Sequence, residues 1–171
     1  MRIVINDANI LIDLVHLELI DDFFQLNGLD LKTTDFVYEE LREEQKNIFA
    51  GFIEDKKLQL IESGAEELLA IATIQSQTTG LSIEDCSVWF YAQKNKGILL
   101  TGDGRLRKQS SASGVEVKGI LFVFDQLLLQ NIITFETALL KLNQLYTLNS
   151  RLPLTPKNER ITAWSIQKHV D

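Results

Sequence analysis

Arg2-Ile3-Val4-Ile5-Asn6-Asp7 opens the chain as a short β-branched run that stops at an acid. So short and apolar a run predicts a strand buried on both faces and ending at Asp7. A second run of the same kind, Ile98-Leu99-Leu100-Thr101, is halted by Gly102-Asp103-Gly104. Between and beyond them the pattern alternates. Residues 8–14 and 16–27 read as helices closed by Asn27-Gly28. Leu29–Thr34 reads as a second strand, and Asp35 as the N-cap of a helix carrying Val37, Glu40 and Leu41. Residues 47–55 continue helical, 58–61 form a minor strand, and 65–78 form a helix closed by Gly80. Ser82-Ile83-Glu84-Asp85 is a capping box opening a helix that Gly97 ends. A basic helix starts at Arg105-Leu106-Arg107-Lys108, and Val115-Glu116-Val117 is the last strand.

Strands separated by helices predict an α/β fold with a central, mostly parallel sheet flanked by helices. The character changes after Gly119. Residues 120–130, 134–147 and 155–169 read as helices. The expected organisation is a core over residues 1–118 and a C-terminal helical extension over 119–171, packed on or next to it.

Composition narrows the class. The chain has 171 residues, 45% of them apolar and 24% charged, which suits one globular domain with an appendage. No apolar run approaches the roughly 20 residues of a bilayer span. Two acids in the opening stretch argue against a signal peptide, so a cytoplasmic protein without a membrane partner is expected. A single cysteine, Cys86, excludes an internal disulfide framework and a multi-cysteine zinc site, and reads as a small core residue. His16 and His169 have no partner at ligand spacing. The net charge of −7 is unevenly placed. Residues 1–104 hold 8 basic and 19 acidic side chains, and residues 105–171 hold 9 and 5. An acidic pocket beside a basic rim suits a metal and a phosphate together; a solvated acidic surface is the plainer reading.

Chemistry is expected beyond the carboxyl ends of the strands. Asp7 and Asp103 follow strands, Asp85 opens a helix, and Glu40 lies in the helix after the second strand. Taken singly, each has an ordinary explanation as a turn, cap or solvated residue. Together they repel: one like-charged pair about 5 Å apart costs roughly 3 kcal/mol at an effective dielectric of 20. Either their pKa values rise or a cation joins them, and hard oxygen donors suit Mg²⁺ or Mn²⁺. Such an ion supports phosphodiester hydrolysis. Asp13, Asp35 and Glu84 are read as surface or capping residues outside this set.

The local words carry a resemblance. Asp7-Ala8-Asn9 after a first strand, Val37-Tyr38-Glu39-Glu40-Leu41, Leu81-Ser82-Ile83-Glu84-Asp85-Cys86 and Leu99-Leu100-Thr101-Gly102-Asp103 resemble, in order, the four acidic motifs of the PIN-domain family. The tail from Val117 onward is similar to a PIN subgroup with a long helical C-terminus, near the VapC-type toxins of toxin–antitoxin systems. The resemblance implies a metal-dependent endoribonuclease and a homodimer, and leaves room for a small antitoxin protein as partner. It implies that Asp7, Glu40, Asp85 and Asp103 bind Mg²⁺ or Mn²⁺, directly or through water, and are catalytic. It also implies that Asn9 and Thr101 support them. Arg105, Arg107 and Lys108 are positional candidates for contacts to RNA phosphate. Ala8 departs from the hydroxyl residue frequent in the family, and Glu39 competes with Glu40, which is preferred because it directly precedes Leu41.

Other families fit less well. A receiver domain needs an acidic pair after the first strand, and Asn6-Asp7 is not one. A haloacid-dehalogenase-type phosphatase needs a second Asp where Asn9 stands, and no P-loop sequence occurs. The alternative from a different class is a catalytically silent PIN fold serving as a binding or scaffold module.

Overall fold

The computed structural model describes residues 1–149 and 152–168. His169 and the end of the last helix expected from the sequence lie outside them. Five strands, β1 (Arg2–Asn6), β2 (Leu29–Thr34), β3 (Gln59–Ile61), β4 (Ile98–Leu100) and β5 (Glu116–Lys118), form one sheet in the order β3-β2-β1-β4-β5. Every pairing is parallel. β1 is central, and its Val4 and Ile5 have no exposed surface; the three residues of β4 are buried as well. Strands covered on both faces gain nothing from alternation, which is why they read as unbroken apolar runs.

Two compact units divide the chain: residues Met1–Ile12 with Asn27–Ile120, and Asp13–Leu26 with Leu121–Asp171. The first holds the sheet and the helices α3 (Asp35–Glu40), α4 (Glu43–Glu54), α5 (Ala65–Gln77), α6 (Ile83–Lys94) and α7 (Gly104–Ala112). The helix α1 (Ala8–His16) begins in the first unit and ends in the second. The second also contains α2 (Ile20–Phe23), nearly all of α8 (Ile120–Leu129), and α9 (Phe135–Leu148) and α10 (Leu154–Lys168). There, Asp125 of α8 accepts hydrogen bonds from Arg160 Nη2 at 2.9 Å and from Trp164 Nε1 at 3.0 Å, while Trp164 stacks on Phe124. An apolar contact and a charge-assisted bond thus join α10 to α8 at the same point.

Two expectations are corrected. Residues 16–27 are not one helix, since His16 ends α1 and beyond it only Ile20–Phe23 is helical. The preceding helix closes at Glu18, which sits at φ 55°, with Leu19 N donating to Leu14 O and Glu18 N to Val15 O. This closing motif usually takes Gly or Asn, so a glutamate there gives no sequence signal. The N-cap of α3 is Thr34, whose hydroxyl accepts from Val37 N at 3.2 Å. Asp35 instead accepts from the backbone and hydroxyl of Ser63.

Gly97 has a tighter role than ending α6. The left-handed residue there is Lys96, at φ 50°. A Cβ on Gly97 would lie 2.8 Å from the carbonyl oxygen of Ile3 on the central strand. Gly97→Ala is therefore expected to destabilise the fold by about 1–3 kcal/mol, the range for forced overpacking. Chemical unfolding of the two proteins reads this directly, and equal midpoints would refute the close approach.

Candidate functional site

Parallel pairing of β1 with β4 brings the ends of both strands to one edge, and Asp7 N continues the ladder by donating to Leu100 O at 3.0 Å. The side chain of Asp7 is only 4% exposed. Thr101 Oγ1 donates to Asp7 Oδ2 at 2.5 Å, and Asn9 Nδ2 donates to the same oxygen at 2.6 Å. The Thr101 hydroxyl accepts from Asp103 N at 3.0 Å, which directs its own proton to Asp7. Gly102 N donates to Asn9 Oδ1 at 2.8 Å. Asn9 and Thr101 thus tie the Asp7 carboxylate to the loop bearing Asp103. The hydroxyl absent at Ala8 is not needed for this support.

Burial nevertheless raises the Asp7 pKa from 3.8 to about 6, with the charges of Asp85 and Glu40 adding to the rise and the Thr101 bond opposing it. Asp85 sits in the first turn of α6. Its carboxylate accepts from Ser82 N at 2.9 Å while Ser82 Oγ accepts from Asp85 N at 3.1 Å, completing the capping box read from the sequence. Burial pushes its pKa up, and Asp103 and Glu84 push it further. Asp103 is not merely a turn residue between glycines. It is the N-cap of α7, with Oδ1 accepting from Leu106 N at 2.7 Å.

Glu40 ends α3. Partial burial, then Glu84 and Asp85, raise its pKa. Glu39 points elsewhere and accepts from Lys46 at 2.7 Å, so of the two neighbours Glu40 faces the cluster. The four acids chosen from sequence therefore act on one another at a single edge. Glu84, left outside them, is a fifth negative charge there. The signal for it was weak, because its place beside Asp85 in the first turn of a helix suits a residue that only favours the macrodipole.

Sequence reading also missed what joins the helices of Glu40 and Asp85. Thr34 and Ser87, both fully buried, share a hydroxyl–hydroxyl bond of 2.8 Å. Ser87 Oγ donates to Glu84 O at 2.7 Å, so the proton between the two hydroxyls comes from Thr34. This bond fastens the start of α3 to the second turn of α6.

The three basic candidates divide. Arg107 donates to Thr101 O at 3.1 Å and Arg105 to Gly80 O at 2.8 Å, both backbone carbonyls. Lys108 is exposed. Cys86 is buried, as expected of a core residue. Among the described residues, no three His, Cys, Asp or Glu side chains close on a common point as a preformed metal site. The donors at the edge are hard carboxylate oxygens, which suit Mg²⁺ or Mn²⁺ in kind. A hollow of about 490 Å³ lies in the second unit along one face of α9, and none of the four carboxylates lines it. No described helix is long and apolar enough to cross a membrane.

A family model described as a PIN domain matches residues 3–164 of the chain. No curated protein matches it. Among solved structures, the chain is similar to a domain of a functionally unknown protein from Methanocaldococcus jannaschii DSM 2661. The identity is 20% and the TM-score 0.48, covering 70% of this chain and 91% of that one.

Proposed function

The chain belongs to the PIN-domain family, a nuclease superfamily in general, and from that premise we propose that it is a metal-dependent endoribonuclease centred on Asp7, Glu40, Asp85 and Asp103. The observation that supports this best is electrostatic. Burial first, and then the charges of Asp85 and Glu40, raise the Asp7 pKa to about 6 although Thr101 donates a hydrogen bond to the carboxylate. A fold that holds carboxylates together against this repulsion is primed for a cation.

Asp7, Glu40, Asp85 and Asp103 would hold Mg²⁺ or Mn²⁺. Because they do not close on one point, ligation partly through water fits them better than a full protein shell, and Mg²⁺ commonly keeps several waters. When bound, the ion activates water and offsets charge developing on the scissile phosphate. The chain's own residues set the geometry. Thr101 and Asn9 fix the rotamer of Asp7, and the two helix caps fix Asp85 and Asp103. Lys108 is the basic candidate best placed to meet RNA phosphate, since its residue is exposed and, among the described residues, no hydrogen bond holds its side chain. The family resemblance further supports a cytoplasmic homodimer, with the toxin role and a small antitoxin partner as parts of the same reading.

The test is incubation of the full chain with structured and single-stranded RNAs, in Mg²⁺ or Mn²⁺ and in chelator. Cleavage is expected with either ion and is expected to stop in chelator. Cleavage that persists in chelator would sink the metal mechanism. Measured Mn²⁺ binding without cleavage of any RNA would favour a silent binding module.

A further inference from the structure

The turn delivering Ser82, and with it the helix of Asp85, runs over residues 78–81 and has no regular structure of its own. Gly80 at its centre takes φ +69°. Two side chains of α7 hold it. Arg105 Nη1 donates to Gly80 O at 2.8 Å, and Gln109 Nε2 donates to Thr79 O at 3.3 Å. The two are four residues apart and so share one face of the helix. The guanidinium lies so close over Gly80 that a Cβ there would come within 1.9 Å of Nη1 and 2.9 Å of Cζ. The helix providing both donors is the one Asp103 caps. One rigid element therefore carries one carboxylate of the site at its start and grips the turn that leads to another.

We infer that Arg105 and Gln109 are positioning residues of the carboxylate site, fixing the helix of Asp85 against the helix of Asp103 through consecutive carbonyls of the 79–80 turn. The inference rests on the nuclease reading above for its activity readout, and it moves Arg105 from contacting RNA phosphate to shaping the acidic edge. A fork of fixed donors suits this task, and a lysine would supply only a point charge.

The experiment compares the full-length wild type with Arg105→Ala, Arg105→Lys and Gln109→Ala. It measures Mn²⁺ affinity by calorimetric titration, kcat and KM for RNA cleavage, and the melting temperature. Loss of an outer support commonly weakens metal binding or activity 10–100-fold, and the lower end, about tenfold, is expected in both Mn²⁺ affinity and kcat for Arg105→Ala. KM should stay close to wild type. Arg105→Lys should recover part of the loss, and Gln109→Ala should show a smaller one. The melting temperature of all three should remain near wild type, which separates positioning from general stability.

A raised KM with kcat and Mn²⁺ affinity unchanged would overturn the inference and return Arg105 to phosphate binding. No change in any quantity would overturn it too. If the wild type binds Mn²⁺ but cleaves no RNA, the nuclease reading fails, and the variants' Mn²⁺ affinities alone decide the positioning role. If the wild type binds no Mn²⁺, both fail.

Discussion

Asp7→Asn is expected to slow RNA cleavage about 10³-fold and, in the same protein, to raise the melting temperature at neutral pH. The two effects share a cause. The carboxylate of Asp7 is almost wholly buried, and its pKa is raised to about 6 by that burial, with Asp85 and Glu40 adding to it. Its ordinary value is 3.8, so between about pH 4 and pH 6 the folded chain holds a proton that the unfolded chain has released. Stability therefore falls as pH rises through that window and stays lower above it. At 1.36 kcal/mol per pKa unit the deficit at neutral pH is about 3 kcal/mol. Asn keeps the size and an oxygen that can accept from Thr101 and Asn9, but it cannot ionise. In metal-free buffer at pH 7.5 the variant should melt roughly 6–12 °C above wild type, given about 2–4 °C per kcal/mol for a chain of this length. The gap should narrow as pH falls through that window and close only at about pH 3.5, below the ordinary value of the carboxyl. Mn²⁺ should stabilise the wild type and leave the variant almost unmoved. On the activity side, losing a carboxylate that holds the ion should lower the rate about 10³-fold, equivalent to roughly 4 kcal/mol of charge stabilisation. Melting curves at the two pH values and a cleavage assay settle it. A variant no more stable than wild type at pH 7.5 would contradict the buried charge, and an active variant would remove Asp7 from the centre.

How far the site could be read beforehand depends on where each signal resides. Val4, Ile5 and Ile98–Leu100 were legible because strands buried on both faces leave continuous apolar runs, and those runs place Asp7 and Asp103 at one edge once the strands pair in parallel. The capping box of Ser82 and Asp85 was legible because it is a local exchange over three residues. Two acids in succession, Glu39 and Glu40, are separated in space by the helical turn, which sends the first to Lys46. That choice needed the family pattern, since composition does not distinguish them.

What stayed hidden is non-local or lacks a typical residue. Thr34 and Ser87 are 53 positions apart in the sequence, and neither announces a buried hydroxyl pair. Arg105 and Gly80 are separated by 25 positions, and a basic residue after the last acidic motif invites a phosphate role before any backbone carbonyl is visible. Glu18 at positive φ breaks what periodicity presents as one helix. Glu84 passes for a helix-start acid until its closeness to Glu40 is known.

Thr101→Val carries the other large effect, because the two residues differ by one hydroxyl and little in shape. That hydroxyl performs two tasks, accepting from Asp103 N and donating to Asp7 Oδ2. Without it the backbone N–H of Asp103 loses its acceptor, and the loop carrying the fourth acid is no longer tied to the first. The Asp7 pKa also rises, since the Thr101 bond is the strongest influence holding it down. A metal must displace the proton of any carboxyl it uses, so Mn²⁺ affinity should fade on acidification at a higher pH in the variant than in wild type. At pH 7 the loss in Mn²⁺ affinity or kcat should be about 10–100-fold, as for groups that orient metal ligands. Thr101→Ser retains the hydroxyl and should return the pH dependence to that of wild type, although it leaves a small void where the methyl was. Titrations with Mn²⁺ from pH 5.5 to pH 8 on the three proteins test the point. If valine weakens binding equally at every pH, the hydroxyl shapes the loop without tuning Asp7. If serine fails to restore the pH dependence while the fold melts as before, the methyl group and not the hydroxyl is what Thr101 contributes.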